Sequence, residues 1–379
     1  MKHTFFLLIS FCIFSACSSD SGASVKGKSD KGSSTNNEQS NSHEVESIDG
    51  ELNNIACFLG GTQPKQVGEY SLAFNSVNWR NHQKAMQNAW TKATLEKISP
   101  MREWSKSEKI EKKSETLFYP FSGADFLHVY SAHPNYSSYY LFGLEPVGEI
   151  PSKANILDVS KTENILSTIY KSVDENLSQS FFHTKYMAVE FGNPILKGTI
   201  PVFMFFMNRM GVEITSIQAV KYDDKGMIVK EKEFNSGVRI GFIDSGKQKE
   251  LFYFSGDISN KGMTNSTGLK AMISRISKDA TTMMKSASYL CHMPDFSIIR
   301  DLIIANAHTI MQDDAGVPFK YYDKSKWNFR HFGVYTQPIP LFASRGQIDL
   351  RNAVQGIEKP ITFRYGYNSP PNIMIATRK

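Results

Sequence analysis

SGADFLHVY, residues 122–130, decides how the chain is read, because a second Ser-Gly opens SGVRIGFID at residues 236–244. Both stretches alternate apolar and small or polar residues closely enough to predict strands. The first is followed by a strand, YYLFGLEPVG (139–148), and by a helix near Ile165 to Leu177 with Leu166, Ile169 and Val173 on one side. Next come the apolar helix IPVFMFFMNRM (200–210), the strand VEITSIQAVKY (212–222), the turn Asp223-Asp224-Lys225-Gly226 and the strand MIVKE. The second is followed by the strand ELFYFSGDI (250–258), a helix TGLKAMISRI (267–276) continuing toward Tyr289, and a helix FSIIRDLIIANA (296–307). That unit closes with the strand HTIMQ, the turn Asp313-Asp314-Ala315-Gly316 and the strand VPFKYY.

The shared order predicts an α+β fold of two similar units, 117–234 and 235–322. Each runs strand, strand, helix, helix, strand, Asp-Asp-x-Gly, strand, with antiparallel sheets carrying helices on one face. A helical segment, 51–116, precedes them; Trp79, Met86 and Trp90 share its apolar face, the pattern of a core helix, and Pro100 interrupts it. Residues 323–379, rich in aromatics, Pro and Arg, read as an extension packed on the second unit.

Composition supports a sizeable core, since 41% of the 379 residues are hydrophobic and 12% aromatic. Net charge is +6, but 43 basic residues are spread among 37 acidic ones without a basic block, so nucleic acid is not expected as a partner.

Upstream of the folded segments, Phe5–Phe14 (FFLLISFCIF) has the length of a signal-peptide apolar region and is too short to span a bilayer. Ser15, Ala16 and Cys17 follow, and Cys17 is read as the lipidated first residue of the mature protein. Residues 1–16 then form a lipoprotein signal peptide. Phe14 stands where Leu is usual, and Ser18 resembles the residue of lipoproteins passed to the outer membrane. Residues 17–50, after the cysteine rich in Ser, Gly, Lys, Asp and Asn, read as a disordered tether spanning roughly 30 Å. The expected location is the bacterial cell envelope, with the membrane as partner through acyl chains on Cys17.

The remaining cysteines, Cys57 and Cys291, read as separate buried thiols rather than a disulfide, and no metal-ligand spacing occurs. Ser122 is the best nucleophile candidate, but its stretch lacks the first glycine of GxSxG, and a turn serine capping backbone amides is the simpler reading. Asp125, Glu145, Asp313 and Asp314 are carboxylates in unusual contexts, and His292 completes the weak catalytic candidates. Repetition of Asp-Asp-x-Gly favours a structural turn; if either copy is functional it is the second, flanked by Gln312 and Pro318. No cofactor is implied.

The blocks FYPFSGADFLHV, GLEPVGEIP, KSASYLCHMPDFSIIR, IMQDDAGVPFKYY and NIMIATRK resemble a widespread group of bacterial secreted or lipid-anchored proteins across residues 51–379. No catalytic or binding assignment comes with the resemblance. This chain has Ala124 where the group commonly has Pro, and Ala315-Gly316 where it has Ser-Gly. The expected function is therefore a lipid-anchored binding or assembly module using the groove between the units, with an envelope protein or glycan as partner. The alternative is an envelope hydrolase of glycan, lipid or peptide with its site at the same interface. Metabolic labelling with a palmitate analogue is expected to tag the wild-type protein and spare Cys17→Ala; equal labelling of both would remove the anchor.

Overall fold

The computed structural model describes residues 41–179, 195–357 and 359–379. Cys17 and most of the expected tether lie outside the described residues, although helix α1 (Asn41–Gly60) begins within the tether's last ten. The fold is α+β, with helices around one ten-stranded mixed sheet.

In chain order the strands are β1 (Thr116–Tyr119), β2 (Ser138–Gly143), β3 (Glu213–Tyr222), β4 (Ile228–Lys230) and β5 (Gly237–Asp244). They continue with β6 (Lys247–Ser255), β7 (Thr281–Met284), β8 (Thr309–Gln312), β9 (Trp327–Gly333) and β10 (Asn372–Arg378). Across the sheet the order is β4-β3-β5-β6-β2-β1-β7-β8-β10-β9. The five central strands, β6-β2-β1-β7-β8, are mutually parallel. The outer pairs on both sides are antiparallel.

Expected antiparallel sheets are thus corrected to one sheet with a parallel centre, and the duplication is not confirmed. β1 and β2 pair in parallel around an intervening helix, whereas β5 and β6 form an antiparallel hairpin through Ser245 and Gly246, both at positive φ. Side chains alternate between two apolar layers. Leu117, Tyr119, Met283 and Met311 join the cluster packed with α2 (Val77–Ala93), α3 (Ser99–Glu108), α5 (Thr162–Gln179) and α6 (Ile200–Arg209). Phe118, Met284 and Ile310 join the opposite one, with α7 (Thr267–Ile276) and α8 (Ser297–Asn306). With both faces covered, β7 and β8 are buried along their whole length, as parallel strands generally are.

That burial explains the misread elements. SGADFLHVY is not a strand: β1 ends at Tyr119, and α4 (Phe126–Ala132) starts after Asp125, whose carboxylate accepts the His128 amide at 3.3 Å. All seven residues of α4 are buried, so no polar face marks the helical period, and the cap is the surviving signal. Helix α7 stops at Ile276 instead of continuing toward Tyr289, and TTMM becomes the central strand β7. VPFKYY forms a 3-10 turn at Phe319–Tyr321 rather than a strand, and β2 ends at Gly143, five residues short of the expected end. Pro100 sits in the first turn of α3, where its missing amide costs nothing, and so does not break the helical run. The C-terminal segment contributes two full strands, with β10 inserted between β8 and β9.

Trp79 and Met86 are core residues, and the Trp79 indole N–H donates to the Phe58 carbonyl at 3.1 Å. Cys57 and Cys291 are free thiols.

Buried histidines set the acid response, His82 and His133 among them. Burial pushes His82 down to about 4, against the opposing hydrogen bond to the Leu59 carbonyl, and pushes His133 down to about 3. Below an ordinary histidine pKa of about 6.5 the unfolded chain binds protons that these folded residues refuse, so stability falls as pH drops from about 6.5 toward 4. Each contributes about 1.4 kcal/mol per pH unit in that window. Asp313 acts in the opposite sense: burial and the neighbouring Asp314 raise it, so the folded chain holds the extra proton and stability falls as pH rises above the ordinary carboxyl range. Urea unfolding is expected to show greatest stability near pH 6.5, with a steep loss by pH 5 that His133→Gln shallows.

Candidate functional site

Because β6, β2, β1, β7 and β8 run the same way, the segments leaving their carboxyl ends gather at one edge of the sheet. The chain builds β2 and β6 to one side of β1, then places β7 and β8 on the other. Such a reversal of strand order leaves a crevice between diverging connections. A cavity of about 40 Å³ lies there, lined among others by Tyr119, Ser122, Asp125, Glu145, Lys285 and Ser286. A second, about 110 Å³, shares Phe121, Gly123, Glu145 and Ala287 with it and has apolar walls.

Asp125 is the electrostatic centre. Its carboxylate receives the Lys285 ammonium at 2.9 Å, His128 Nδ1 at 2.7 Å, the Tyr119 hydroxyl at 3.2 Å and the Asn176 amide at 3.3 Å. Burial alone would raise this carboxyl, but His128 and Lys285 outweigh it and hold it well below the usual range. Burial keeps His128 down at about 4, against Asp125, so its ring is neutral and donates through Nδ1. The charged pair is therefore Asp125 with Lys285, both almost completely buried.

Glu145 is buried beside this pair without an ion-pair partner among the described residues. The Tyr253 hydroxyl donates to its Oε2 at 3.3 Å and to its backbone oxygen at 2.8 Å, and burial raises its pKa. Two glycines make room for it. A Cβ at Gly143 would lie 2.2 Å from Oε2, and one at Gly123, where φ is +54°, would lie 3.4 Å from both carboxylate oxygens.

The sequence-predicted residues divide between this site and other duties. Ser122 lines the small cavity, but its hydroxyl donates to the Phe142 and Gly123 carbonyls (3.1 and 2.9 Å) and accepts the Phe142 amide at 3.1 Å, knitting the loop to the end of β2. Asp313 accepts the Ser286 amide at 3.2 Å and the Ala315 amide at 2.9 Å, so it supports the rim from behind. Asp314 accepts the side-chain amides of Asn368 (2.6 Å) and Asn372 (2.9 Å) and the Tyr289 hydroxyl, clamping the C-terminal segment to the end of β8. His292 lines a different cavity, with Pro318, Lys320, Arg345 and Gln347, and burial followed by Arg345 lowers it to about 4. The site thus gathers Ser122 and Asp125, touches Asp313 through Ser286, and includes neither His292 nor Asp314.

Lys285 and Ser286 do not stand out in the sequence, because the helix from Thr267 reads as continuing through them toward Tyr289. Ser286 has φ +54°, unusual for a residue with a Cβ, and its buried hydroxyl has no hydrogen-bond partner among the described residues. The signal lay in the polar Lys-Ser step immediately after TTMM. No cluster of His, Cys, Asp or Glu suited to a metal ion occurs among the described residues.

Removing one partner of a buried pair leaves the other charge uncompensated, so Lys285→Met is expected to lower unfolding free energy by about 3–5 kcal/mol. Asp125→Asn in the same chain should restore part of that loss; chemical denaturation of both variants checks it, and a loss below about 1 kcal/mol for Lys285→Met would place the pair in solvent. No family model, curated protein or solved structure matches this chain, so the groups at the strand ends are the footing for any assignment of function.

Proposed function

We propose that the chain is a bacterial envelope lipoprotein, anchored to the outer membrane through Cys17, whose folded body is a binding module for a small molecule at the carboxyl edge of its parallel strands. The observation that carries this reading is Glu145, a buried carboxyl group with no cationic partner among the described residues, lining two open cavities at the reversal of strand order. A carboxyl kept from water without a countercharge costs several kcal/mol or is held protonated, and Glu145, unlike Asp313 and Asp314, faces a cavity. A ligand that donates hydrogen bonds to it recovers part of that cost on binding. Pockets of this kind, largely apolar with a few convergent polar groups, are the usual form of small-molecule sites. The contact surface accordingly moves from the expected groove between repeats to the ends of β1, β2, β6 and β7.

The hydrolase alternative now rests on Ser286, since the hydroxyl of Ser122 is engaged with backbone groups. Ser286 sits where a strand passes into a 3-10 helix at positive φ, the placement of an exposed nucleophile, but its neighbour Lys285 is paired to Asp125 rather than poised as a base.

One pair of measurements separates the readings. Ligand-observed NMR with a fragment library on the purified protein should give hits that disappear in Ala287→Trp, a change at an exposed residue lining both cavities. A fluorophosphonate probe should leave the protein unlabelled. Labelling that vanishes in Ser286→Ala would transfer the site to hydrolysis, and fragments insensitive to Ala287→Trp would remove the cavity from the function.

A further inference from the structure

Taken in chain order, the parallel strands β1, β2, β6, β7 and β8 lie across the sheet in the sequence 3-2-1-4-5. This is the arrangement in which doubly wound sheets hold nucleotides at the crevice beside the first strand. In that arrangement a glycine in the turn after the first strand lets the ligand approach the backbone, and an acidic residue about 20 positions later takes the ribose hydroxyls. Here the turn after β1 carries Gly123, and Glu145 follows at the end of β2, its carboxylate in contact range of the Gly123 position.

We infer that the binding module takes a purine nucleoside carrying no diphosphate, with the ribose diol on Glu145 and the base in the neighbouring apolar cavity. The inference rests on the binding-module reading above and names its ligand class.

Three features support it. Glu145 has no cation beside it among the described residues, so two vicinal hydroxyls can donate to its carboxylate, a match that a second carboxylate or a bare phosphate cannot make. The cavity of about 110 Å³ has flat apolar walls, Phe121 and Phe296 meeting edge to face at 5.9 Å with Ile258 and Leu290 beside them. Asp257, at the end of β6, lines the same cavity; one of its oxygens accepts the Ser259 amide at 2.8 Å, while the other has no partner among the described residues and suits an exocyclic amino group such as that of adenine.

The diphosphate is excluded by the loop itself. Nucleotide-binding turns use several glycines and an open helix start to seat a pyrophosphate. This turn has one glycine, helix α4 is only seven residues long, and its His128 amide is taken by the Asp125 carboxylate, which would repel phosphate. The 5′ position would instead meet the smaller cavity, where Lys285, Asp125 and the Ser286 hydroxyl, unpartnered among the described residues, favour a neutral or zwitterionic substituent.

Isothermal titration of the purified full-length protein in detergent with adenosine, 2′-deoxyadenosine and NAD tests this. Adenosine should bind, with 2′-deoxyadenosine and NAD each weaker by about tenfold or more, the effect of losing a hydrogen bond to a buried charge or of forcing in a diphosphate. Glu145→Gln should weaken adenosine by a similar factor and close the gap to 2′-deoxyadenosine; should that variant fail to fold, Ala287→Trp should abolish adenosine binding with the thermal melt unchanged. Equal affinity for the two nucleosides, or adenosine binding that survives both variants, would overturn the assignment. Fragments that occupy the cavity while adenosine does not would refute the nucleoside and keep the module, whereas absence of both would refute the two together.

Discussion

The buried ion pair between Asp125 and Lys285 joins the two halves of the sheet at the place where its strand order reverses. One partner leaves β1 and the other leaves β7, so the pair fixes the turn after the first strand against the turn after its neighbour. Asp125 also starts helix α4 through the His128 amide, and the Tyr119 and Asn176 side chains fill the remaining acceptor directions. A buried pair is weak evidence for stability in itself, because desolvation consumes much of the attraction. Its role here is positional: among the described residues it leaves Glu145, which lines the same cavity, without a countercharge.

How much of this was legible in the sequence follows from where water reaches the chain. Helices α5, α7 and α8 each have an exposed side and show a clear 3.6-residue period, and the hairpin of β5 and β6 has a turn sequence that demands positive φ. Those elements are legible in the sequence, except that α7 ends at Ile276 where the sequence reading carries it toward Tyr289. Helix α4 and strand β7 are buried on all sides, so the contrast between apolar and polar positions that encodes periodicity is missing. Four apolar or small residues in TTMM fit a strand or the end of a helix equally well, and only tertiary pairing with β1 and β8 settles the choice.

The site shows the same division. Asp125 and Ser122 were found as unusual polar residues beside a glycine, yet their roles depend on partners far away in sequence, Lys285 and Phe142. Motif repetition was a poor guide to function. The first Asp-Asp-x-Gly turn is a surface turn in which the Asp223 carboxylate accepts the Lys225 and Met227 amides, while the second is a buried junction for four segments. Identical chemistry does different work because one copy ends on an outer strand and the other on a central one.

Strand β10 has a consequence for how the molecule is assembled. Residues 372–378 fill the slot between β8 and β9, so β9 touches the sheet only through them. During synthesis β9 must wait, unpaired, for a partner some forty residues downstream, and β8 presents an open edge until that partner arrives. A chain clipped before residue 372 would lose two strands for the deletion of one, and would carry that open edge permanently. Strand β10 thus covers the edge of the buried strand β8 and moves the sheet's margin out to β9.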